Sequence, residues 1–96
     1  MLEMPQPKPP AHEPRETRLK RLAMRSMRRG IKEMDLILQA YATDRLPVMA
    51  ESDLALYDDL LNENDHDLYQ WVTGQFAPKP KYDEMIGDIQ RHIAQA

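Results

Sequence analysis

Ninety-six residues carrying a net charge of −3, 42% apolar side chains and no cysteine make one small domain with a modest core. The composition excludes disulfides, thiolate metal sites and thiol chemistry. No apolar run approaches the roughly 20 residues that cross a bilayer as a helix.

Residues 1–14 hold five prolines (Pro5, Pro7, Pro9, Pro10 and Pro14) and few large apolar side chains. A segment of this composition buries too little surface to offset its ordering entropy, so it is expected to be a disordered or polyproline-like tail. A Pro-x-x-Pro ligand is its functional alternative. The stretch has no apolar signal core, and Glu3, Glu13 and Glu16 do not suit a transit peptide. A cytoplasmic setting is the expectation from these features.

The domain proper is assigned to residues 15–96. From Glu16 onward apolar positions recur every three or four residues. Leu19, Leu22, Ala23 and Met27 form one stripe of a first helix, and Ile31, Met34, Leu38 and Tyr41 or Ala42 form the stripe of a second. Residues 43–51 read as a connection, because Pro47 cannot continue a helix and disfavours helical geometry at Leu46. Ser52 is placed as the N-cap of a third helix bearing Leu54, Tyr57, Leu60 and Leu61. Asn64 or Asp65 caps a short fourth helix bearing Leu68, Tyr69, Trp71 and Val72, and Gly74 suits a left-handed terminus. Tyr69 and Trp71 are two positions apart and diverge on a helix, so at most one points fully inward. A final helix starts at Tyr82 or Asp83, with Met85 or Ile86, Ile89 and Ile93 on one face. No period-two alternation or hairpin dipeptide is present. The fold class is therefore all-α, a single-domain bundle of about five short helices behind a proline-rich tail.

Charge is distributed unevenly along these helices. Residues 15–32 hold eight basic residues against Glu16 alone, and residues 33–76 hold ten acids against Arg45 alone. Blocks of opposite sign either mark interaction surfaces or neutralise each other inside the fold. The basic stretch also allows a second function, a small nucleic-acid-binding regulator using the first helix. A pI of about 5.5 and the acidic helices oppose that reading, and a membrane-surface reading meets the same objection.

Catalysis finds little support. His12, His66 and His92 are scattered, without a second ligand at metal spacing, and neither Ser26 nor Ser52 sits in a nucleophile elbow. No glycine-rich phosphate loop occurs. No catalytic or metal-ligating residue is assigned.

One junction stands out. In "RRGIKEMDLIL", Gly30 lies between two arginines and a helix that begins near Lys32 and Glu33. Gly30 either ends the first helix as a left-handed C′ residue or leaves the surface bare for an approaching backbone. Arg29 and Glu33, one turn apart, are expected to project as a charged pair; an exposed pair stabilises a helix by only ~0.3–0.5 kcal/mol.

These residues carry a resemblance. "RSMRRGIKEMDLILQAYA" resembles the signature of the FAD assembly factor family of succinate dehydrogenase, whose RGxxE motif stands here as Arg29, Gly30 and Glu33, followed by Met34, Asp35 and Leu36. The segment "LPVMAESDLALYDDLLNENDHDLYQWVTGQ" is similar to the family's acidic third helix and its D-x-D-L-x-x-W element, here Asp65, Asp67, Leu68 and Trp71. The likeness spans roughly residues 16 to 94.

The resemblance implies a five-helix assembly chaperone that is not an enzyme. Its partner would be the flavoprotein subunit of succinate dehydrogenase or fumarate reductase, on which it promotes covalent attachment of FAD to a histidine. The partner-binding residues it implies are Arg29, Gly30 and Glu33, and proximity adds Arg25 and Arg28. No stably bound cofactor is expected, because the chain lacks a dinucleotide fingerprint. A monomer when free, without nucleic acid or membrane insertion, completes the expectation. The absence of a transit-like leader points to a bacterial cytoplasmic member.

Overall fold

A computed structural model describes residues 13–95; the expected tail at residues 1–12 lies outside the described residues. Five α-helices follow one another: α1 (Arg15–Arg25), α2 (Lys32–Arg45), α3 (Glu51–Leu60), α4 (Asp65–Val72) and α5 (Asp83–Ala94). Single 3-10 turns at Leu46–Val48 and Pro80–Tyr82 precede α3 and α5. No strand occurs among the described residues.

Local chemistry sets the ends of these helices. Asn64 caps α4, its side-chain oxygen accepting from the His66 N–H at 2.7 Å. Gly74 takes the left-handed conformation at φ 79° after α4. α2 runs further than expected, through Arg45, and Leu46 stays helical although Pro47 follows. The buried Leu46 side chain anchors that turn in the core, and the missing Pro47 N–H falls where the chain tightens into the 3-10 turn. Ser52 is not the cap of α3: the helix starts at Glu51 behind Ala50. Arg15 fixes this entry, donating to the Met49 carbonyl at 2.7 Å and to Glu51 at 3.1 Å.

One core joins all five helices. Met34, Leu38, Tyr41 and Ala42 of α2 are buried, as the periodicity predicts, and face Leu54, Tyr57 and Leu60 of α3 and Ile86 and Ile89 of α5 within one cluster. Trp71 is buried and Tyr69 only half-buried, in keeping with their divergence on α4. The α1 stripe is narrower than expected. Leu22 is fully buried and Leu19 partly so, but Ala23 and Met27 are exposed. The second inward position is Ser26, one turn beyond Leu22 and completely buried. Its hydroxyl donates to the Leu22 carbonyl at 2.8 Å and lies 2.6 Å from the Tyr57 hydroxyl. A polar residue here ends α1 and ties that end to α3. Burial pushes the Tyr57 hydroxyl pKa up to about 12, although the Ser26 hydrogen bond acts in the opposite sense. Ile93 at the far end of α5 is 39% exposed, so the last helix unseats from the core there.

Candidate partner-binding site

The arginines of α1 point across to α3 and the turn that follows it. Arg15 and Arg18 meet Glu51. Arg21 grips both oxygens of Asp58, at 2.9 and 2.7 Å, and Arg25 donates to the same carboxylate, to the Asp58 carbonyl at 2.9 Å and to Asn62 at 2.6 Å. Burial would raise the Asp58 pKa, but the two guanidiniums outweigh it and hold the carboxyl below its ordinary value of 3.8. The opposite charge blocks therefore neutralise each other within the domain. Much of the basic footprint that a nucleic-acid reader would need is turned inward, against carboxylates.

Between α1 and α2 the chain crosses at residues 26–31. The left-handed residue of this junction is Arg28, at φ 55°, and not Gly30 as the glycine itself suggested. Such a conformation costs an L-residue roughly 1–2 kcal/mol. Asp35 offsets part of it from the first turn of α2, accepting the Arg28 N–H at 2.8 Å while also receiving Gln39 Nε2 at 2.7 Å. Ile31 then enters α2 in an extended conformation, with Lys32 and Glu33 in the first helical turn as expected.

The expected pairing of Arg29 with Glu33 is not formed. Arg29 turns inward: its Nε donates to Asp65 at 2.8 Å, and its side chain is 13% exposed. The physical reason is competition, because a half-buried carboxylate presented by α4 offers a stronger field than an exposed glutamate one turn away. Gly30 donates its N–H to the other Asp65 oxygen. A methyl group on Gly30 would stand 3.1 Å from that oxygen, so the glycine does provide clearance, but for a carboxylate of this same chain.

The five candidate residues thus divide. Arg25 and Arg29 are locked into internal ion pairs. Arg28, Gly30 and Glu33 are exposed on one continuous junction, beside Lys32 and with Leu36 62% exposed one turn along α2. Arg28, Lys32 and Glu33 make no ion pair among the described residues. Asp65 and Asp35 are the participants that sequence reading missed. The sequence marks Asp65 as an alternative helix cap and as part of the D-x-D-L-x-x-W element, neither of which ties it to the junction.

Among the described residues no group of acids and histidines could hold a metal ion, and no helix is long and apolar enough to cross a membrane. A cleft of about 290 Å³ between α2, α3 and α5 is lined by Tyr41, Arg45, Asp53, Asp88 and Arg91. Asp88 there is engaged by the Tyr41 hydroxyl at 2.7 Å and by Arg45 at 3.2 Å.

A helical scaffold closed by its own ion pairs, with a pinned junction left exposed between α1 and α2, makes this a small all-α protein fastened from within. The chain belongs to a particular family of such proteins, described as flavinator of succinate dehydrogenase, whose model matches residues 20–93. It is 40% identical over 89 residues to succinate dehydrogenase assembly factor 2-A, mitochondrial, of Drosophila sechellia, covering 88% of this chain and 54% of the relative. With succinate dehydrogenase assembly factor 2, mitochondrial, of Saccharomyces cerevisiae (strain ATCC 204508 / S288c) the identity is 42% over 73 residues, covering 76% of this chain and 45% of the relative. The chain spans about half the length of the curated relatives it matches. These relatives overturn the expectation of a bacterial cytoplasmic member, since those of fly and yeast are named as mitochondrial. The family match covers residues 20–93 and leaves out the N-terminal stretch on which that expectation rested.

Proposed function

We propose that this chain is an assembly factor that binds the flavoprotein subunit of succinate dehydrogenase and promotes the covalent attachment of FAD to it. The observation that carries the reading is the junction: Arg28, Gly30 and Glu33 lie exposed on a backbone pinned from two sides by Asp35 and Asp65. The family description and the assembly-factor names of the relatives support the choice of partner. Fumarate reductase, whose flavoprotein presents a similar problem, is the second partner we assign.

The chain contributes no nucleophile, acid or metal to the attachment. Binding the flavoprotein in the arrangement that reacts, in preference to arrangements that do not, raises the population of the reactive state. A fixed junction suits this role, because a surface ordered before contact loses little conformational entropy on docking. FAD belongs to the partner, and the factor acts on it as a monomer without holding it stably.

Co-expression tests the reading. The flavoprotein subunit is produced with and without this chain, denatured, and assayed for covalently bound flavin by in-gel fluorescence. Covalent flavin that rises with the factor, accompanied by co-purification of the two chains, is the expected result. Equal fluorescence in both samples would refute it.

A further inference from the structure

Asp65 stands in the first turn of α4, far in sequence from the junction, yet both of its oxygens close on it. One oxygen accepts from Arg29 Nε at 2.8 Å and the other from the Gly30 N–H. One terminal nitrogen of Arg29 stands 2.8 Å from the Asp65 oxygen that accepts from Nε and also donates to the Leu61 carbonyl at 3.2 Å, while the other donates to the Arg25 carbonyl at 3.0 Å. Neither helix needs this arrangement for its own termination. α4 is already capped by Asn64, and α1 is closed by Ser26. Gly30 is exposed, so water could satisfy its N–H without Asp65. What the contacts accomplish is geometric: a carboxylate on α4 fixes the backbone two residues after the strained Arg28 and three before Glu33.

We infer that Asp65 is a positioning residue of the partner-binding site, holding the Gly30 backbone through its N–H, and that Arg29 serves the site from within as the counter-ion of Asp65. The inference rests on the flavoprotein-binding reading above. In this arrangement the motif's arginine is not itself a contact. Its charge keeps Asp65 oriented, Asp65 keeps Gly30 in place, and Gly30 with Glu33 meets the partner. A loop held in its binding conformation loses less freedom on association, so releasing it weakens binding while leaving the contact residues unchanged.

Four chains are compared: wild type, Asp65→Ala, Asp65→Asn and the charge swap Arg29→Asp with Asp65→Arg. Each is measured for affinity to the isolated flavoprotein subunit by calorimetry, for unfolding in urea, and for hydrogen exchange at the Gly30 amide. Asp65→Ala is expected to bind about tenfold more weakly or worse, with faster exchange at Gly30 and unchanged exchange at Leu38 and Leu60 in the core. Asp65→Asn keeps an acceptor for the Gly30 N–H and is expected to fall between the two. The swap re-forms the ion pair and any stability that depends on it, but offers Gly30 no acceptor, so its binding stays weak.

Wild-type affinity in folded Asp65→Ala, or full binding by the swap, would overturn the inference, since either would leave Asp65 a purely structural partner of Arg29. If Asp65→Ala does not fold, Asp65→Asn carries the same test, with undiminished binding and faster Gly30 exchange as the contrary result. Failure of the wild-type chain to bind the subunit would instead remove the functional reading. Unchanged Gly30 exchange in Asp65→Ala would still separately refute the positioning role.

Discussion

Arg21 in the middle of α1 and Arg28 in the junction come from one basic stretch, but their surroundings have little in common. Arg21 donates to both oxygens of Asp58 and shares that carboxylate with Arg25. Arg28 lies exposed in a left-handed conformation, makes no ion pair among the described residues, and is held only through its backbone N–H. The α1 face is an internal fastening between helices, and the junction is a presented surface. Both lie in the same basic stretch of sequence, so it is the carboxylates that α3 sets against α1 that separate the fastened face from the exposed junction.

That contrast predicts opposite responses to mutation. The largest effect belongs to the scaffold. Asp58→Ala removes the acceptor that Arg21 and Arg25 share, leaving Arg21 with Glu13 alone and Arg25 with the backbone carbonyl of residue 58 and Asn62. Breaking a fully buried pair costs ~3–5 kcal/mol; these side chains keep partial access to water, so about 2–3 kcal/mol is expected in urea unfolding. Flavin attachment per folded molecule should be unaffected.

Acid should act through the same carboxylates. Asp58, Asp59 and Asp88 are held below the ordinary 3.8: at Asp59 chiefly by the Lys81 hydrogen bond, and at Asp88 by Tyr41 and Arg45 against the opposing effect of burial. Each therefore binds its proton more readily when unfolded. The stability they confer is complete above about pH 4 and is lost as pH falls through the depressed values. Urea midpoints measured from pH 6 down to pH 2 should decline mainly below pH 4, and less steeply in Asp58→Asn.

A smaller effect, ~1 kcal/mol, is expected for Tyr57→Phe, which deprives the buried Ser26 hydroxyl of its partner while leaving the Leu22 carbonyl bond. The smallest changes in stability lie at the junction, where the functional losses are concentrated. Arg28→Gly relieves a left-handed residue and should leave the domain unchanged or up to ~1 kcal/mol more stable. Binding to the flavoprotein subunit should nonetheless weaken. A stability loss in Arg28→Gly, or full binding, would erase the distinction between the two regions.

Much of this fold was legible in the sequence because it depends on local periodicity. The α2 stripe, the Asn64 cap and the Gly74 terminus all follow from residues within a turn or two of one another. Interactions between distant residues were not legible. Helical spacing pairs Arg29 with Glu33, whereas the fold offers it Asp65 from another helix. Spacing likewise gives no sign that Arg21 and Arg25 share Asp58. Gly30 invited a left-handed assignment because glycine adopts it freely, yet Arg28 takes that conformation with Asp35 bound to its N–H. The clearance at Gly30 was anticipated; the carboxylate that occupies it was not.

The most direct test of the account is covalent flavin on the flavoprotein subunit co-produced with Glu33→Ala. Glu33 is exposed in the first turn of α2 and makes no ion pair among the described residues, so stability should stay within ~0.5 kcal/mol of wild type. In-gel flavin fluorescence is expected to fall to the level seen without the factor, although the variant is folded and present. Fluorescence equal to that obtained with the wild-type chain would contradict the account.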